Sequence, residues 1–401
     1  MPSNKKTLIT ILIAVILVAI VFGLVYYFFF MKGGVGEPEI TPDLPIGSNG
    51  QPALPSSGIS TSTTGAGTKV NIPRLRQITV EPIGGAGIFG NVIRYIERAD
   101  GNIFETKTDS LAINRISNRT IPKIYEAVWG NNGDTVITRQ LKDDNETIDS
   151  FVAKLSGNAS STEKNLGGVY LPQKISALII SPDKNKMFYL YPTSGGSAGI
   201  LANADGSQKT LVFESPLSQW LADFVDNKTV TLTTKPSVNA VGFAYLLNTT
   251  NGSMGKILGD IFGLTTLVSP DKKLILYSES LSNTFRAKIY NLAEASATNF
   301  NLQTLPEKCV WSRIETTVIY CAAPKSVPSC NYPDCWYQGS AVFNDDIWKI
   351  NVSTGETSRL ISPESYINKT IDVINPLLND DESFLLFMNK TDLTPWVLDI
   401  R

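Results

Sequence analysis

Histidine is absent from this chain of 401 residues. Its absence excludes the Ser-His-Asp triad, the Cys-His dyad and imidazole-ligated zinc, and it removes the usual general base at neutral pH. Cysteine is scarce as well, since four residues are too few for a small domain that disulfides hold together. An excess of positive charge is also missing, because 35 basic and 37 acidic residues give a formal net charge of -2. A nucleic-acid partner is therefore not expected.

An uninterrupted apolar run near the amino terminus predicts one transmembrane helix. Residues 7–31 carry no charge and end in the aromatic cluster Tyr26–Phe30. A bilayer core of about 30 Å needs roughly 20 apolar residues in a helix, so this run is long enough to span it. A cleaved signal peptide has a shorter apolar run, and a buried core helix usually has a polar face. Because Lys5 and Lys6 precede the run, residues 1–6 are expected in the cytoplasm and the remainder outside the cell membrane.

The segment that follows the apolar run has the composition of a linker. Residues 32–67 are rich in Gly, Pro, Ser and Thr and poor in large apolar side chains. Such a segment cannot bury enough surface to offset the entropy of ordering, so we predict a disordered linker. The whole chain has 42% hydrophobic and 18% charged residues, which is typical of a protein that buries a core. We therefore assign residues 68–401 to one exported folded domain.

Short β-branched and aromatic runs fill this domain and alternate with clusters of Gly, Asn, Asp, Ser and Pro, a pattern that predicts strands and turns. Polar turns recur between pairs of strands, twice with the sequence Ser-Pro-Asp-Lys, at 181–184 and 269–272. These two turns begin 88 residues apart, and a third turn at Asp226 lies midway, so the repeat is 44 residues long. Four-stranded propeller blades repeat at about 40–50 residues.

The repeat predicts an all-β fold, a β-propeller of seven four-stranded blades. Their first strands are expected to start near Gln77, Ile124, Ala177, Trp220, Thr265, Cys309 and Thr370. The last unit ends at Arg401 after two or three strands, whereas Val70–Gln77 has the pattern of an outer strand. We therefore expect the N-terminal strand to complete the last blade and close the ring. Six or eight blades, or a tandem of β-sandwiches, stay open as alternatives.

The turn motif also carries a resemblance to a known family. Apolar strands run directly into Ser-Pro-Asp in Ile179–Asp183 and in Leu267–Asp271. This pattern resembles the WD40-like repeats of TolB-type β-propellers, although Lys184 and Lys272 stand where those repeats usually have Gly. The layout is also similar to exported, membrane-anchored propeller proteins of bacteria without an assigned activity. The resemblance implies a propeller fold and a protein-interaction role, and it implies no catalytic residues.

All four cysteines lie between positions 309 and 335. A hairpin centred on Glu315 would pair Cys309 with Cys321, and directly opposed residues have Cα atoms about 4.5–5.5 Å apart, a distance that suits a disulfide. Cys330 and Cys335 flank four residues of a loop and can close in the same way. We expect these two disulfides, in agreement with an oxidising exported compartment. A four-thiolate zinc site, whose usual CxxC pairs are missing here, and unpaired thiols are the alternatives.

The most unusual segment is the insertion at Pro324–Phe343, which contains Tyr332, Trp336 and Tyr337. Loops of this length in compact domains are often functional. Exposed Trp and Tyr side chains suit protein interfaces and stacking on sugars. We therefore take these three residues as candidate binding residues. The alternative is that Trp336 and Tyr337 pack down on a blade and seal it.

No catalytic motif, metal-ligand set or cofactor-binding motif is recognisable, so we predict a protein that is not an enzyme. The sequence favours a membrane-anchored, extracytoplasmic β-propeller that acts as a protein-interaction or scaffold module of the cell envelope. Its expected partner is an envelope protein or another cell-surface component. Two alternatives stay open. One is a glycan or cell-wall binding module that stacks sugars on Trp336, and the other is a carboxylate-based hydrolase or lyase with two acids at the channel mouth.

Overall fold

A computed structural model describes residues 71–117, 120–157 and 164–401 of the chain. The predicted membrane helix and linker, residues 7–31 and 32–67, lie outside these ranges. Within them, no helix combines the length and the apolar character needed to cross a membrane. The described residues form 28 strands, two short α-helices and two 3-10 helices.

The strands of blades 1 to 4 are β2 (Ile83–Phe89), β3 (Val92–Glu97), β4 (Ile103–Lys107), β5 (Ile113–Arg115), β6 (Ile124–Gly130), β7 (Thr135–Leu141), β8 (Ile148–Ser156), β9 (Asn165–Tyr170), β10 (Ala177–Ile180), β11 (Lys186–Thr193), β12 (Gly196–Asn203), β13 (Thr210–Ser215), β14 (Trp220–Asp226), β15 (Thr229–Thr234), β16 (Val241–Asn248) and β17 (Met254–Phe262). Each blade takes four consecutive strands in that order, so the chain forms antiparallel meanders whose neighbouring strands are joined by local turns.

The strands of blades 5 to 7 are β18 (Thr265–Val268), β19 (Leu274–Leu281), β20 (Thr284–Asn291), β21 (Ser296–Asn299), β22 (Cys309–Trp311), β23 (Val318–Pro324), β24 (Asp345–Asn351), β25 (Thr357–Ile361), β26 (Val373–Leu378), β27 (Phe384–Asn389) and β28 (Pro395–Asp399), with β1 (Leu75–Gln77) as the outer strand of blade 7. The helices are α1 (Asp334–Tyr337), α2 (Pro363–Ile367) and the 3-10 helices η1 (Asn131–Gly133) and η2 (Pro306–Lys308).

The ring closes through its N-terminal strand, as the sequence predicts. β1 runs antiparallel to β28, with Leu75 opposite Leu398 and Gln77 opposite Trp396. The sheet order β1-β28-β27-β26 therefore unites the beginning and the end of the domain in one blade. The structure confirms seven four-stranded blades, so the alternatives with six or eight blades and with β-sandwiches do not apply.

Two of the expected blade starts are displaced. Gln77 is the last residue of the closing strand, and the first strand of blade 1 begins only at Ile83. Pro82 lies between them, and proline cannot donate a hydrogen bond to a sheet, so the first strand starts beyond it. In the last blade the first strand begins at Val373 instead of Thr370. The other five starts agree with the structure.

The core lies between the blades. Among the described residues, seven apolar clusters each combine side chains of two neighbouring blades. Ile96 of blade 1 packs with Trp129 of blade 2, for example, and Tyr95 of blade 1 packs with Val397 of blade 7. Because each sheet buries both faces in this way, the ring is a continuous packed layer that holds its loops in place.

The antiparallel order sends the loops to two opposite ends of the ring. The turns between first and second strands and the loops between third and fourth strands lie on one end, which we call the turn face. The loops between second and third strands lie on the other end together with the crossovers between blades. We call this end the insertion face, because it carries residues 325–344 between β23 and β24, which we call the insertion. Pro324, expected as part of the insertion, is the last residue of β23.

The two lysines of the Ser-Pro-Asp-Lys turns reach other blades on the turn face. Lys184 and Lys272 adopt positive φ angles of 62° and 61°, a conformation that costs a side chain about 1–2 kcal/mol and that favours glycine. Lys184 Nζ donates to the backbone oxygen of Ile88 at 3.1 Å, and Lys272 Nζ lies 2.7 Å from Asp226 Oδ2. These contacts link blade 3 to blade 1 and blade 5 to blade 4, and glycine would offer neither.

Candidate functional site

The insertion lies across the insertion face and contacts three blades besides its own. The backbone nitrogen of Val238 in blade 4 donates to Asp334 Oδ2 at 2.7 Å. From blade 5, the Ser280 hydroxyl donates to the backbone oxygen of Tyr332. From blade 7, Lys390 Nζ donates to the backbone oxygen of Trp336 at 2.7 Å. Contacts that converge from three sides hold the insertion in one position on the ring.

Aromatic side chains of the insertion turn inward and form a small core of their own. Tyr332 has no exposed surface, and Trp336 is 3% exposed. Both rings pack against Phe343, with centroid distances of 5.8 and 6.3 Å. Phe285 of blade 5 completes the group, 4.8 Å from the Tyr332 ring. The insertion therefore has a packed interior instead of a loose loop structure.

Of the three candidate binding residues, Tyr337 is the one whose side chain reaches the surface, with 39% exposure. Its hydroxyl group donates to Glu307 Oε1, which in turn lies in η2 at the entry to blade 6. Although the Tyr337 ring is partly exposed, desolvation at its hydroxyl group and the charge of Glu307 raise the pKa of Tyr337 well above its usual value, and desolvation also raises the pKa of Glu307. Trp336 packs down on the blade, in agreement with the alternative that these aromatic residues seal the blade. A binding role for Tyr337 stays a prediction.

A buried ion cluster lies beneath the insertion. Lys308 Nζ is 2.5 Å from Asp372 Oδ1 and 2.7 Å from Asp345 Oδ2, and none of these three side chains has any exposed surface. Trp336 Nε1 donates to Asp372 Oδ2 at 3.1 Å, and the backbone nitrogen of Phe343 donates to the same oxygen at 3.1 Å. The cluster therefore joins blades 6 and 7 to the insertion through charge-assisted hydrogen bonds.

The ion cluster has a positioning role in this geometry, because the insertion covers it and no substrate could reach its charges. Removal from water raises the pKa of Asp345 to about 6, although the neighbouring Lys308 ammonium acts in the opposite direction. The second carboxylate oxygen of Asp345 is buried without a hydrogen-bond partner. No motif in the sequence indicated this cluster, since its members are separated by 37 and 27 residues.

Two disulfides flank the same region with the expected pairing. Cys309 and Cys321 are opposite each other in β22 and β23, with a Cα–Cα distance of 4.1 Å. Cys330 and Cys335 are joined at a Cα–Cα distance of 6.3 Å and enclose the turn that leads into α1. The first bond reinforces a hairpin of blade 6, and the second shortens the free length of the insertion.

An open cleft of about 410 Å³ separates the insertion from the loops of blades 4 and 5. Its lining residues are Val238, Asn239, Asn283, Cys330, Asn331, Asp334, Cys335 and Gln338. Four of them carry side-chain carboxamides, namely Asn239, Asn283, Asn331 and Gln338. None of these four side chains makes a hydrogen bond to another residue in the described ranges. The Asp334 carboxylate, in contrast, already accepts the hydrogen bond from Val238. Sequence reasoning missed this cleft because its amides come from three separate loops.

A second recess of about 370 Å³ lies on blade 5 beside this cleft. The side chains of Leu281, Phe285, Phe300 and Leu302 give it an apolar lining, and Thr284, Arg286, Ala287, Asn301 and Gln303 complete it. The turn between β19 and β20 contributes Asn283 to the cleft and Leu281 and Thr284 to the recess. The two depressions therefore share one hairpin as a common border.

Two carboxyl groups with raised pKa values come from residues at the inner side of the ring. Asp223 lies on β14 with its side chain open to water, and desolvation by the surrounding protein raises the pKa of its carboxyl group to about 6, against the opposing effect of the Arg313 charge on the turn face. The other group is Glu307, which contacts Tyr337 on the insertion face. Neither carboxyl group acts on the pKa of the other, so the two do not form a pair. Across the residues that the structure describes, no three His, Cys, Asp or Glu side chains are grouped so that they could hold a metal ion.

Comparisons with known proteins agree on the fold. No family model matches the chain, and no curated protein matches it. Among solved structures, an oligogalacturonate lyase in complex with manganese is similar, with a TM-score of 0.53 and 11% identity over 82% of this chain and 93% of that one. The β-propeller domain of the Trilobed protease from Pyrococcus furiosus has a TM-score of 0.52 and 11% identity over 80% and 96% of the two chains.

TolB from Acinetobacter baumannii also matches, with a TM-score of 0.41 and 12% identity over 78% of this chain and 64% of that one. The Pyrococcus furiosus domain is described as having an open velcro topology, whereas β1 closes the ring here. The propeller fold implied by the Ser-Pro-Asp-Lys turns is thus confirmed by the strand topology and by the two neighbours with TM-scores of 0.53 and 0.52. At 11% identity the likeness shows the fold alone, and the chain is a seven-bladed β-propeller that shares its fold with the oligogalacturonate lyase and the Pyrococcus furiosus domain.

Proposed function

We propose that this protein is a protein-interaction module that docks a cell-envelope protein on its insertion face. The observation that carries the proposal is the fixed insertion beside an open cleft. Contacts from blades 4, 5 and 7 hold the insertion, and four carboxamides in the cleft have no hydrogen-bond partner within the described residues. A rigid surface that displays unpaired polar groups loses little conformational entropy when a partner binds.

The charges near the insertion support docking over catalysis. Lys308, Asp345 and Asp372 satisfy one another below the surface, where a ligand has no access to them. A propeller ring also tolerates variation of its loops without disturbing its core, which suits a fold that presents one binding surface.

A membrane anchor is part of the same proposal. The apolar residues 7–31 would hold the protein in the cell membrane, and the linker 32–67 would present the propeller outside it. Both disulfides are consistent with an oxidising compartment. Anchoring would raise the effective concentration of the propeller near other envelope proteins and so favour weak, specific contacts.

Site-specific photocrosslinking in whole cells tests the docking proposal. A photoreactive residue replaces Gln338 on the insertion face, and a matched variant carries it at Gln208, an exposed turn residue at the opposite end of the ring. We expect a discrete crosslinked protein from position 338 and none from position 208. The same pattern of products from both positions, or no product from position 338, would refute docking on this face.

A deletion of the insertion is a poor control for this experiment. The insertion supplies Trp336 and Phe343, which cover the ion cluster and donate to Asp372. A shortened chain would expose buried charges and lose a packed aromatic core. Loss of partner capture could then result from unfolding, so substitutions at the surface of the cleft are the appropriate variants.

Polysaccharide lyase activity is the second candidate function. One observation favours it: the fold neighbour named an oligogalacturonate lyase. An assay of the full chain with oligogalacturonate and Mn²⁺, followed by ultraviolet absorbance of an unsaturated product, decides the question. We expect no product. Turnover that is lost in both Asp223→Asn and Glu307→Gln would replace the docking proposal with an enzymatic one.

A sugar-binding role based on Trp336 has less support. A stacking platform must offer one face of its ring to the ligand, and the Trp336 ring instead packs against Phe343 and Tyr337. Its indole nitrogen is also engaged, since it donates to Asp372. Glycan binding at the cleft would therefore have to rely on carboxamides without an aromatic platform.

A further inference from the structure

Exposed carboxamide side chains line the cleft between the insertion and blades 4 and 5. Asn239, Asn283, Asn331 and Gln338 converge on it from three loops, and each carboxamide offers N–H donors and a carbonyl acceptor. Within the described residues none of these carboxamides makes a side-chain hydrogen bond. In Asp334, the single carboxylate of the cleft, Oδ2 accepts from the Val238 N–H and Oδ1 stays open. The cleft therefore presents mainly neutral groups that both donate and accept.

This chemistry matches a peptide main chain better than a charged ligand or a sugar. Each peptide unit also offers one N–H donor and one carbonyl acceptor, so side-chain amides can pair with it on both sides. A phosphate or a carboxylate ligand would need a cation, and the lining contains none. A sugar would be expected to stack on an aromatic ring, and no aromatic side chain lines the cleft.

The recess on blade 5 adds a place for a side chain. It adjoins the cleft across the turn between β19 and β20, and Leu281, Phe285 and Phe300 give it apolar walls. In an extended peptide, successive side chains point to opposite sides while the main chain groups stay free to pair. A peptide that crosses the hairpin could thus hold its main chain in the cleft and bury one apolar side chain in the recess.

We infer that the cleft binds an extended segment of a partner polypeptide. The side-chain amides of Asn239, Asn283, Asn331 and Gln338 pair with its main chain, and the recess takes one of its apolar side chains. This inference rests on the proposed docking function and names the form in which the partner is recognised. It corresponds to the use of main-chain hydrogen bonds for affinity and of a side-chain pocket for specificity.

A display library of random linear peptides, panned against the full chain in detergent, tests the inference. The double variant N331D/Q338E keeps the shape of both side chains and removes their N–H donors. The matched control N91D/Q208E makes the same change of charge at two exposed residues in turn-face loops. We expect enriched peptides with an apolar residue at one fixed position. The loss of two hydrogen bonds should raise their Kd about tenfold or more in N331D/Q338E.

A backbone-methylated copy of an enriched peptide should lose most of its binding, because methylation removes the main-chain N–H groups that donate hydrogen bonds to the carboxamide oxygens. Equal binding by wild type and N331D/Q338E, or unchanged binding of the methylated peptide, would overturn the inference. If photocrosslinking at position 338 captures an envelope protein but no linear peptide is enriched, the peptide inference fails and the docking function stands. Cell-wall polysaccharide that binds wild type and not N331D/Q338E would overturn both proposals.

Discussion

The ammonium group of Lys308 sits between Asp345 and Asp372 in a site with no exposed surface. Neutral replacement of this lysine would leave two carboxylates buried next to each other without the ammonium group that contacts them both. An isolated ion pair on the surface contributes much less to the free energy of unfolding, because water already solvates its members. The protein contains both a buried and an exposed lysine–aspartate pair, and the same lysine substitution can be made in each.

We expect Lys308→Met to lower the free energy of unfolding by about 3–5 kcal/mol, because it leaves uncompensated buried charge. The matched control is Lys272→Met, whose ammonium lies at 2.7 Å from Asp226, the same distance as Lys308 from Asp345, but is 42% exposed. This control should cost about 1 kcal/mol or less. Denaturant titration of the full chain in detergent measures both values, and similar losses in the two variants would contradict a structural role for the buried cluster.

Asp345 should also make stability depend on pH. Burial raises its pKa in the folded state to about 6, above the usual 3.8 that applies when the chain is unfolded. Between these values the folded state binds more protons than the unfolded state, so this group makes the protein less stable as the pH rises through that window. Comparison with Asp345→Asn isolates the effect from the other carboxylates. The free energy of unfolding of the variant minus that of the wild type should increase from pH 4 to pH 7, whatever its sign at pH 4, and a constant difference would refute the raised pKa.

At the scale of structural elements, the contact between the insertion and blade 5 depends on one glycine. Gly263 has a φ of 64°, and a Cβ atom there would lie 1.9 Å from Ser280 Oγ and 3.1 Å from Pro333 Cδ. Gly339 has a φ of 77° and no atom within 4 Å of the same position. A side chain at either position would therefore introduce the same backbone strain, but only at Gly263 would its Cβ atom also collide with neighbouring atoms.

We expect Gly339→Ala to cost about 1 kcal/mol through backbone strain alone. Gly263→Ala should cost about 2–4 kcal/mol, because overpacking adds to the same strain. It should also increase proteolysis of the insertion, since the Ser280 contact to Tyr332 would shift. Thermal denaturation combined with limited proteolysis distinguishes the two variants. Equal costs would mean that the insertion is not seated on Gly263.

The elements themselves were largely predictable from local patterns. Strand periodicity and turn signals over a few residues predicted five blade starts and the opposition of Cys309 and Cys321. They also predicted the closing strand that ends at Gln77. The start of blade 1 was displaced because the closing strand occupies the place that the repeat assigns to a first strand. The free carboxamides of the cleft gave no such pattern, because asparagine is also common in turns for purely conformational reasons.

At the scale of the whole molecule, the proposed anchor and linker can be tested directly. Protease added to spheroplasts should cut within residues 32–67 and release the propeller into the supernatant, while a cytoplasmic marker stays intact. Without protease, the full chain should stay with the membranes after washing at high pH. A propeller that is soluble without protease would indicate cleavage of residues 7–31 and would refute the anchor.

The sequence by itself determined the all-β class and the period of the blades, because strand alternation and turn chemistry act between near neighbours. It also determined the closure of the ring, because the last unit lacks a strand that Val70–Gln77 can supply. Only the tertiary structure decided which side chains meet. Packing turned Trp336 inward, brought Lys308 to Asp345 and Asp372, and gathered amides from three loops around one cleft. The physical reason is that these contacts join residues far apart in the chain, and their positions depend on how seven sheets pack around a common axis.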